Sequence, residues 1–145
     1  MNLAATHFAK CSSISNTGVS EGFFQGCVFD IILPVPLHPK RLRWRGFNQA
    51  LLLAREVGRR WKIAVDPFVL VRSRETQPQT QLAEQERRKN VRGAFSVATG
   101  KTVEKKTILL IDDVYTSGAT VNECSRTLRR AGASEVYVLT LARAV

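Results

Sequence analysis

One segment joins a run of four apolar residues to two acids and then to a loop of small and hydroxyl-bearing residues. The apolar run covers residues 108 to 111, the acids are Asp112 and Asp113, and the small residues follow at 116 to 120. An unbroken apolar run is typical of a parallel strand that is covered on both faces. We therefore expect a buried strand that delivers two carboxylates, and then a loop, onto the start of a helix.

The loop after the acids has the features of an anion site. Its backbone N–H groups can turn toward one anion, and a helix that begins at about Thr120 adds roughly half a positive elementary charge. The two acids would repel a phosphate, but they suit the vicinal hydroxyls of a sugar that carries one. The segment therefore predicts a ribose 5-phosphate site, and an ordinary strand-turn-helix with solvated acids is the alternative. The candidate phosphate-binding residues are Thr116, Ser117, Gly118, Ala119 and Thr120.

Several other classes of protein are excluded or disfavoured. The chain contains no Gly-x-x-x-x-Gly-Lys loop and no Gly-x-Gly-x-x-Gly after a strand, which argues against nucleotide hydrolysis and dinucleotide redox chemistry. Its three cysteines are unclustered, so neither a disulfide framework nor a zinc site is indicated. The longest apolar stretch is far below the ~20 residues that span a bilayer. We expect a cytoplasmic protein without a membrane segment.

Positive charge is concentrated in one part of the chain. The formal net charge is +10, and residues 38 to 62 hold eight lysines or arginines against a single acid, Glu56. Such a field attracts polyanions such as pyrophosphate or nucleic acid. For the arginines at 55, 59 and 60, a solvated basic helix face is an equal alternative. The basic residues that directly follow the first apolar strand are Lys40, Arg41, Arg43 and Arg45.

Strands and helices alternate along the predicted elements. We expect strands over residues 28–35, 64–71, 94–97, 107–112 and 135–142, with the regular part of the second strand at 68–71. Helices are predicted over 48–61, with Asn48 able to cap its start, and over 81–90 and 119–131. The segment 37–46 is predicted as a basic loop. This alternation implies right-handed crossovers and a twisted parallel sheet, with ligands at the carboxyl ends of its strands.

The segment from the apolar run to Thr120 resembles the phosphoribosyl-pyrophosphate (PRPP) motif of type I phosphoribosyltransferases. That motif has hydrophobic residues, two acids, a hydrophobic residue, any residue and then Thr-Thr/Ser-Gly-Ala-Thr. The resemblance implies an α/β, type I phosphoribosyltransferase-like fold with a twisted, mostly parallel sheet flanked by helices. It also implies PRPP or ribose 5-phosphate as ligand and Mg²⁺ as cofactor. Asp112 and Asp113 would be the catalytic acids, contacting the ribose hydroxyls directly or through Mg²⁺ and water.

Further segments look like signatures of the ComF family of competence-associated, phosphoribosyltransferase-like proteins. They are residues 30 to 38, the string Arg45-Gly46-Phe47-Asn48-Gln49-Ala50, and scattered positions between 72 and 95. With the PRPP motif they cover about residues 30 to 143. The resemblance implies that Lys40, Arg41 and Arg45 bind pyrophosphate. It also implies that residues 72 to 92 form a flexible loop that closes over the site and carries Arg72, Arg74 and Arg87.

The chain departs from these families at two places. Full-length ComF proteins typically begin with a Cys-rich zinc module, but residues 1 to 26 hold no Cys-x-x-Cys pair. We expect an irregular or disordered segment over residues 1–26, without that module, and a phosphoribosyltransferase-like domain over 27–145. Purine-salvage members generally carry a third acid where Thr116 stands, which argues against hypoxanthine or guanine as acceptor.

Two functions remain open from the sequence. One is transfer of a 5-phosphoribosyl group from PRPP to an unknown acceptor, with release of pyrophosphate. The other is a non-catalytic PRPP-fold protein whose basic face binds single-stranded DNA or a competence partner such as a helicase. Trp44 and Phe47 alternate with arginines in the basic segment, and base stacking adds ~1 to 3 kcal/mol per base. The acceptor, the turnover and the oligomeric state stay open.

Overall fold

The computed structural model describes residues 7–10, 28–75 and 84–143; for residues 7–10, 84, 87 and 143 it describes the backbone alone. Six strands and four helices are present in this part of the chain. In order they are β1 His7–Lys10, β2 Ile31–Pro34, α1 Pro39–Arg45, α2 Gln49–Trp61, β3 Leu70–Arg72, α3 Glu84–Val91, β4 Phe95–Val97, β5 Thr107–Tyr115, α4 Ala119–Arg130 and β6 Glu135–Arg143.

The main sheet has four strands in the order β1-β6-β5-β2. Strands β2, β5 and β6 run parallel, with Leu33 opposite Leu110 and Leu110 opposite Val138. Strand β1 is antiparallel to β6 at the edge of the sheet. This architecture confirms the predicted α/β fold with a mostly parallel sheet.

Helices cover both faces of β5. Ile108 and Leu110 pack into a core with Leu128 of α4, whereas Leu109 and Ile111 pack into a second core with α2 residues Ala54 and Val57. All four apolar residues of the run have 0 % exposure. Because side chains alternate between the two faces of a strand, an unbroken apolar run is needed to fill both cores.

Strands β3 and β4 form a separate two-stranded sheet, which differs from the single sheet predicted. They pair antiparallel, with Leu70 opposite Val97 and Arg72 opposite Phe95. The Asp66-Pro67 pair interrupts the predicted strand over 64–71. Before the interruption, Val65 forms only an isolated bridge with Ile32 of β2. The later part of the segment is then free to pair with β4.

The segment predicted as a basic loop over 37–46 contains helix α1, so that prediction is wrong. His38 caps the helix, since its Nδ1 accepts a hydrogen bond from the Lys40 N–H at 3.3 Å, and Pro39 occupies the first turn. Gly46 ends the helix at φ +80° and donates its N–H to the Leu42 carbonyl at 2.8 Å. These capping contacts stabilise α1, although the helix has no apolar face that packs against the core. All seven helix residues are described, and none is buried.

Several boundaries also differ from the prediction; strand β2, for example, begins at Ile31 rather than at residue 28. The segment over 1–26 is not irregular throughout, because residues 7–10 form β1 and gain backbone partners from β6. The rest of that segment lies outside the described residues, and the domain boundary at residue 27 stays a prediction. Strand β5 extends three residues beyond its predicted end at Asp112, because it continues to pair with β6 as far as Tyr115.

Helix α2 confirms the predicted span, with Asn48 as its cap. The predicted segment 81–90 is helical from Glu84 onward, and its residues 81–83 lie outside the described ones. No helix in the described part of the chain is long and apolar enough to cross a membrane. The cytoplasmic location stays a prediction.

Gly58 provides a test of the packing between α2 and the segment that directly follows it in the sequence. A Cβ atom at Gly58 would lie 2.8 Å from the Ile63 carbonyl oxygen and would also collide with the Val65 side chain. We predict that Gly58→Ala lowers the free energy of unfolding by about 1 to 3 kcal/mol, although alanine favours a helix over glycine by ~1 kcal/mol. Urea unfolding followed by circular dichroism measures the change.

The control is Leu52→Ala at an exposed position of the same helix. We expect it to change the free energy of unfolding by less than about 0.5 kcal/mol. A Gly58→Ala protein as stable as the wild type would contradict the close packing.

Candidate functional site

A cavity of about 580 Å³ opens at the carboxyl ends of β2 and β5. Its walls come from the loop after β2, from α1, from the start of α2, from β3, and from the end of β5 with the loop that follows. Parallel sheets bind ligands at this edge, because the loops and helix N-termini after neighbouring strands meet there. The cavity therefore lies where the sequence predicts a ligand site.

The small-residue loop forms a recess of about 40 Å³ that adjoins this cavity. Thr116, Gly118, Ala119 and Thr120 line the recess, and Thr116 and Thr120 line the larger cavity as well. Ser117 is not among the described residues that line either space; its Oγ accepts a hydrogen bond from the Ala119 N–H at 3.4 Å. The loop thus presents a concave surface at the start of α4, as an anion site requires.

Gly118 holds the turn that leads into α4. It has φ +74°, in the left-handed region that favours glycine, and a Cβ atom there would lie 2.8 Å from the Tyr115 Cζ. Its carbonyl accepts a hydrogen bond from the Asn122 N–H at 2.9 Å. Gly118 itself offers no side-chain cap to α4, and Gly118, Ala119 and Thr120 at the helix start line the recess. The positive end of the helix therefore faces the recess.

The two acids lie within β5 and line the large cavity. The Asp113 N–H donates to Asp112 Oδ1 at 2.9 Å, and the Val114 N–H donates to Asp113 Oδ1 at the same distance. Burial, and then the charge of Asp113, raises the pKa of Asp112 to about 8. Nearby positive charge is therefore too weak to keep both carboxyl groups ionised at neutral pH.

The acid pair fits a bound magnesium ion only if a ligand completes the coordination shell. In the described part of the chain, no group of three or more His, Cys, Asp or Glu residues is placed to hold a metal. Mg²⁺ is typically held by one or two carboxylates together with waters and substrate phosphates. A divalent cation would also relieve the repulsion between Asp112 and Asp113. The donor set thus suits an ion shared with an oxygen-rich ligand.

Helix α1 brings two of the three predicted pyrophosphate residues to the cavity. Arg41 and Arg45 line it, together with Trp44. Lys40 is not among the described lining residues, and its Nζ instead lies 2.8 Å from Glu75 Oε2. The acids and the basic helix therefore face one cavity. Lys40 forms an ion pair with Glu75 and is not among the described residues that line this cavity.

The cap of α2 also stabilises this wall. Asn48 Oδ1 accepts from the Ala50 N–H and its Nδ2 donates to the Val35 carbonyl, each at 3.0 Å. Asn48 and Gln49 both line the cavity. The sequence predicted Asn48 as a cap but did not identify either residue as part of a site. A cap that directly follows a basic segment at a strand end is the signal that could have found them.

The arginines of the predicted flexible loop have different surroundings. Arg72 lies in β3, is buried, and lines the cavity. Arg74 donates to the carbonyls of Asn90 and Arg92 at 2.9 and 2.6 Å, which joins the two ends of the segment. The side chain of Arg87 lies outside the described residues. Arg72 is therefore part of a strand rather than of a loop.

A small-residue loop at a helix start, two acids at the adjoining strand and a parallel sheet beneath them together define a type I phosphoribosyltransferase-like domain. The family model for the phosphoribosyl transferase domain matches residues 46–144. The chain belongs to this family.

Relatives of similar sequence occur in several bacteria. The chain is 40 % identical over 116 residues to "Competence protein F" of Haemophilus influenzae, which covers 79 % of this chain and 51 % of the relative. It is 37 % identical over 109 residues to "Competence protein ComFC" of Streptococcus pneumoniae, and the match covers 75 % of this chain and 46 % of that relative. It is 36 % identical over 114 residues to "DNA utilization protein YhgH" of Escherichia coli, and the match covers 79 % of this chain and 49 % of that relative. Within the phosphoribosyl transferase family, these relatives place the chain among the ComF proteins, and it spans about half of their length.

Among solved structures, the chain is similar to the glutamine PRPP amidotransferase from B. subtilis, complexed with ADP and GMP. The TM-score is 0.52 at 25 % sequence identity, over 77 % of this chain and 22 % of that one. This likeness agrees with the type I phosphoribosyltransferase-like fold of the domain.

The raised pKa of Asp112 predicts a pH dependence of stability. The carboxyl group keeps its proton in the folded protein up to about pH 8, whereas an unfolded aspartate loses it near pH ~3.9. Between these values the folded state binds more protons, so the free energy of unfolding falls as the pH rises. We predict that Asp112→Asn stabilises metal-free protein more at about pH 8 than at about pH 5, measured by urea unfolding.

Asp66→Asn is the matched control, because the hydrogen bond from Lys101 lowers the pKa of Asp66. Asp66 is then ionised in both the folded and the unfolded protein throughout the tested pH range. The change in unfolding free energy caused by Asp66→Asn therefore stays constant over that range. If the Asp112→Asn effect is constant too, the pKa of Asp112 is not raised.

Proposed function

We propose that this cavity binds PRPP and that the protein transfers its 5-phosphoribosyl group to an acceptor nucleophile. The observation that carries the proposal is the meeting of an anion-binding loop and an acid pair in one cavity. A ligand that fits both must carry a phosphate beside free hydroxyl groups. A ribose 5-phosphate unit has this arrangement.

The distribution of charge orients the ligand within the cavity. The 5-phosphate occupies the recess at Thr116 to Thr120, where backbone N–H groups and the helix dipole favour an anion. The ribose hydroxyls face Asp112 and Asp113, which would repel a phosphate. Arg41 and Arg45 then remain for a second anionic group. PRPP carries an anion at both ends of its sugar, so it suits this order.

The chemistry follows from what leaves the sugar. Displacement at the anomeric carbon releases pyrophosphate, and negative charge grows on this group as the bond to carbon breaks. Arg41 and Arg45 stabilise that charge from the wall of α1. Asp112 and Asp113 orient the ribose and lie close to the positive charge that develops on its ring. When bound, Mg²⁺ neutralises further charge on the pyrophosphate.

The acceptor is proposed only by class. A nucleophile such as an amine or a base completes the transfer, and Thr116 offers it a hydroxyl rather than a carboxylate. This residue disfavours hypoxanthine and guanine as acceptors. Lys40 contributes to the positive field near α1, but its ion pair with Glu75 places it second to the two arginines.

The acid pair provides the test of this proposal. We predict that the double variant Asp112→Asn and Asp113→Asn loses Mg²⁺-dependent PRPP binding by at least about 100-fold, because charge-assisted bonds to the ribose and metal are removed. Calorimetry measures the affinity, and circular dichroism checks the fold. The control is Asp66→Asn, at a surface ion pair with Lys101. PRPP binding at wild-type affinity in the double variant would show that the ribose assignment is wrong.

A second candidate function is the binding of single-stranded DNA by α1. Trp44 is 87 % exposed on this basic helix and also lines the cavity. Relatives named for competence and DNA utilization favour the same partner. An exposed tryptophan beside arginines suits stacked bases and a phosphate backbone. A competence helicase as partner stays a prediction.

Salt dependence distinguishes DNA contacts from general attraction to a positive protein. If Lys40, Arg41 and Arg43 contact a single strand, the affinity falls with salt at a log–log slope of about 0.7 per phosphate. We predict that replacing all three by Ala flattens this slope by up to ~2 units. Fluorescence anisotropy with a labelled oligonucleotide measures it.

Trp44→Ala is the companion variant in this experiment. It should weaken binding with little change in slope, because stacking releases no counterions. A triple variant with the wild-type slope and affinity would show that α1 is not the DNA surface.

A further inference from the structure

Thr140 is a fully buried residue of β6 whose hydroxyl group lacks a hydrogen-bond partner. Its exposure is 0 %, and no described residue forms a hydrogen bond with its Oγ1. A buried hydroxyl without a partner has lost its bonds to water and gained none in return, which costs free energy. Valine has nearly the same shape and would fill this place without that cost. Packing alone therefore does not explain the hydroxyl of Thr140.

The pairing of β5 with β6 places Thr140 beside Asp112. The two residues lie opposite each other in the parallel ladder, on strands roughly 4.8 Å apart. Leu110 and Val138, two residues earlier on each strand, pack in the same core. Because side chains alternate along a strand, Asp112 and Thr140 lie on that same face. The hydroxyl and the carboxyl group are therefore neighbours on one face of the sheet.

Helix α4 covers this face, and the electrostatics of Cys124 agree with a carboxyl group that faces it. Cys124 is fully buried in the same core. Burial, and next the charge of Asp112, raises the pKa of the Cys124 thiol. Such an effect requires the two groups to lie close together. Asp112 also lines the large cavity, so its carboxyl group borders both the cavity and the core.

A carboxylate that contacts a ligand needs donors that hold its orientation. Asp112 Oδ1 accepts a hydrogen bond from the Asp113 N–H at 2.9 Å. Carboxylates that bind metals are generally hydrogen-bonded by further groups behind them. The hydroxyl of Thr140 is a suitable donor, because rotation about χ1 redirects it while the paired strands stay in place.

We propose that Thr140 is a positioning residue, whose hydroxyl donates a hydrogen bond to the Asp112 carboxylate when a ribose phosphate occupies the cavity. The inference rests on the proposed function and deepens it, since it gives β6 a part in holding the sugar. Thr140 itself does not touch the ligand, because it is fully buried. Its unpartnered hydroxyl in the ligand-free protein is then one half of a contact that ligand binding completes.

Two substitutions separate the hydroxyl of Thr140 from its methyl group. Thr140→Val keeps the shape and removes the donor, so we expect binding of ribose 5-phosphate with Mg²⁺ to weaken by about tenfold. The urea midpoint of this variant without ligand should equal or exceed that of the wild type, because an unpartnered hydroxyl is lost. Thr140→Ser keeps the donor and removes the methyl group, so its affinity should stay within about twofold, while its urea midpoint falls. Calorimetry measures the affinities.

Inorganic phosphate and Ser125 provide the controls. Phosphate alone reports on the recess, so Thr140→Val should leave its affinity within about twofold. Ser125 is also fully buried, and its Oγ has no hydrogen-bond partner among the described residues, but it lies on α4 rather than on the strand that pairs with Asp112. Ser125→Ala should therefore leave the binding of both probes unchanged.

The outcomes decide between positioning and packing. If ribose 5-phosphate binding is lost in Thr140→Ser but kept in Thr140→Val, the residue acts through packing and the inference is wrong. Equal losses in both variants, or an equal loss in Ser125→Ala, would overturn it as well, and so would wild-type affinity in Thr140→Val. A lower urea midpoint for Thr140→Val would do the same, because the hydroxyl would then be paired without a ligand.

These results are distinct from a failure of the proposed function. In each of them the wild type binds ribose 5-phosphate, and the proposed function stands. A wild-type protein that binds neither ribose 5-phosphate nor PRPP would overturn the proposed function and, with it, this inference.

Discussion

The burial of β5 between two helix-covered faces is the interaction on which the other elements depend. Its four apolar residues fill both cores, and full burial of each stabilises the fold by ~1.5 to 3 kcal/mol. Together these contributions reach roughly 6 to 12 kcal/mol, which is comparable with the net stability of a whole domain. Because β2 and β6 pair on either side, β5 also sets the register of the sheet.

That rigid strand allows the site to contain an unfavourable feature. Asp112 and Asp113 extend the same strand, and burial, followed by the charge of Asp113, raises the pKa of Asp112 to about 8. Across the cavity, Arg41 and Arg72 repel each other in the same way. Ionisable groups in unfavourable surroundings are thus held on both sides of the cavity. The stability of the core is what makes such a site tolerable.

The second sheet connects this chemistry to the rest of the chain. Arg74 bonds to the carbonyls of Asn90 and Arg92, and Gly93 donates its N–H to Glu123 of α4 at 2.9 Å. The antiparallel pair is therefore joined to α4, the helix that follows the small-residue loop.

The sequence alone determined β5, the acid pair, the small-residue loop and the capped helix α2, because each depends on local pattern: an apolar run, a small-residue turn or an Asn cap. It did not determine α1, whose caps act without an apolar face, nor the separate pairing of β3 with β4. The tertiary structure alone decided that Lys40 pairs with Glu75 and that Arg72 is buried against Phe95. Residues 35 and 23 positions apart meet only once the chain is folded, and no local pattern encodes such contacts.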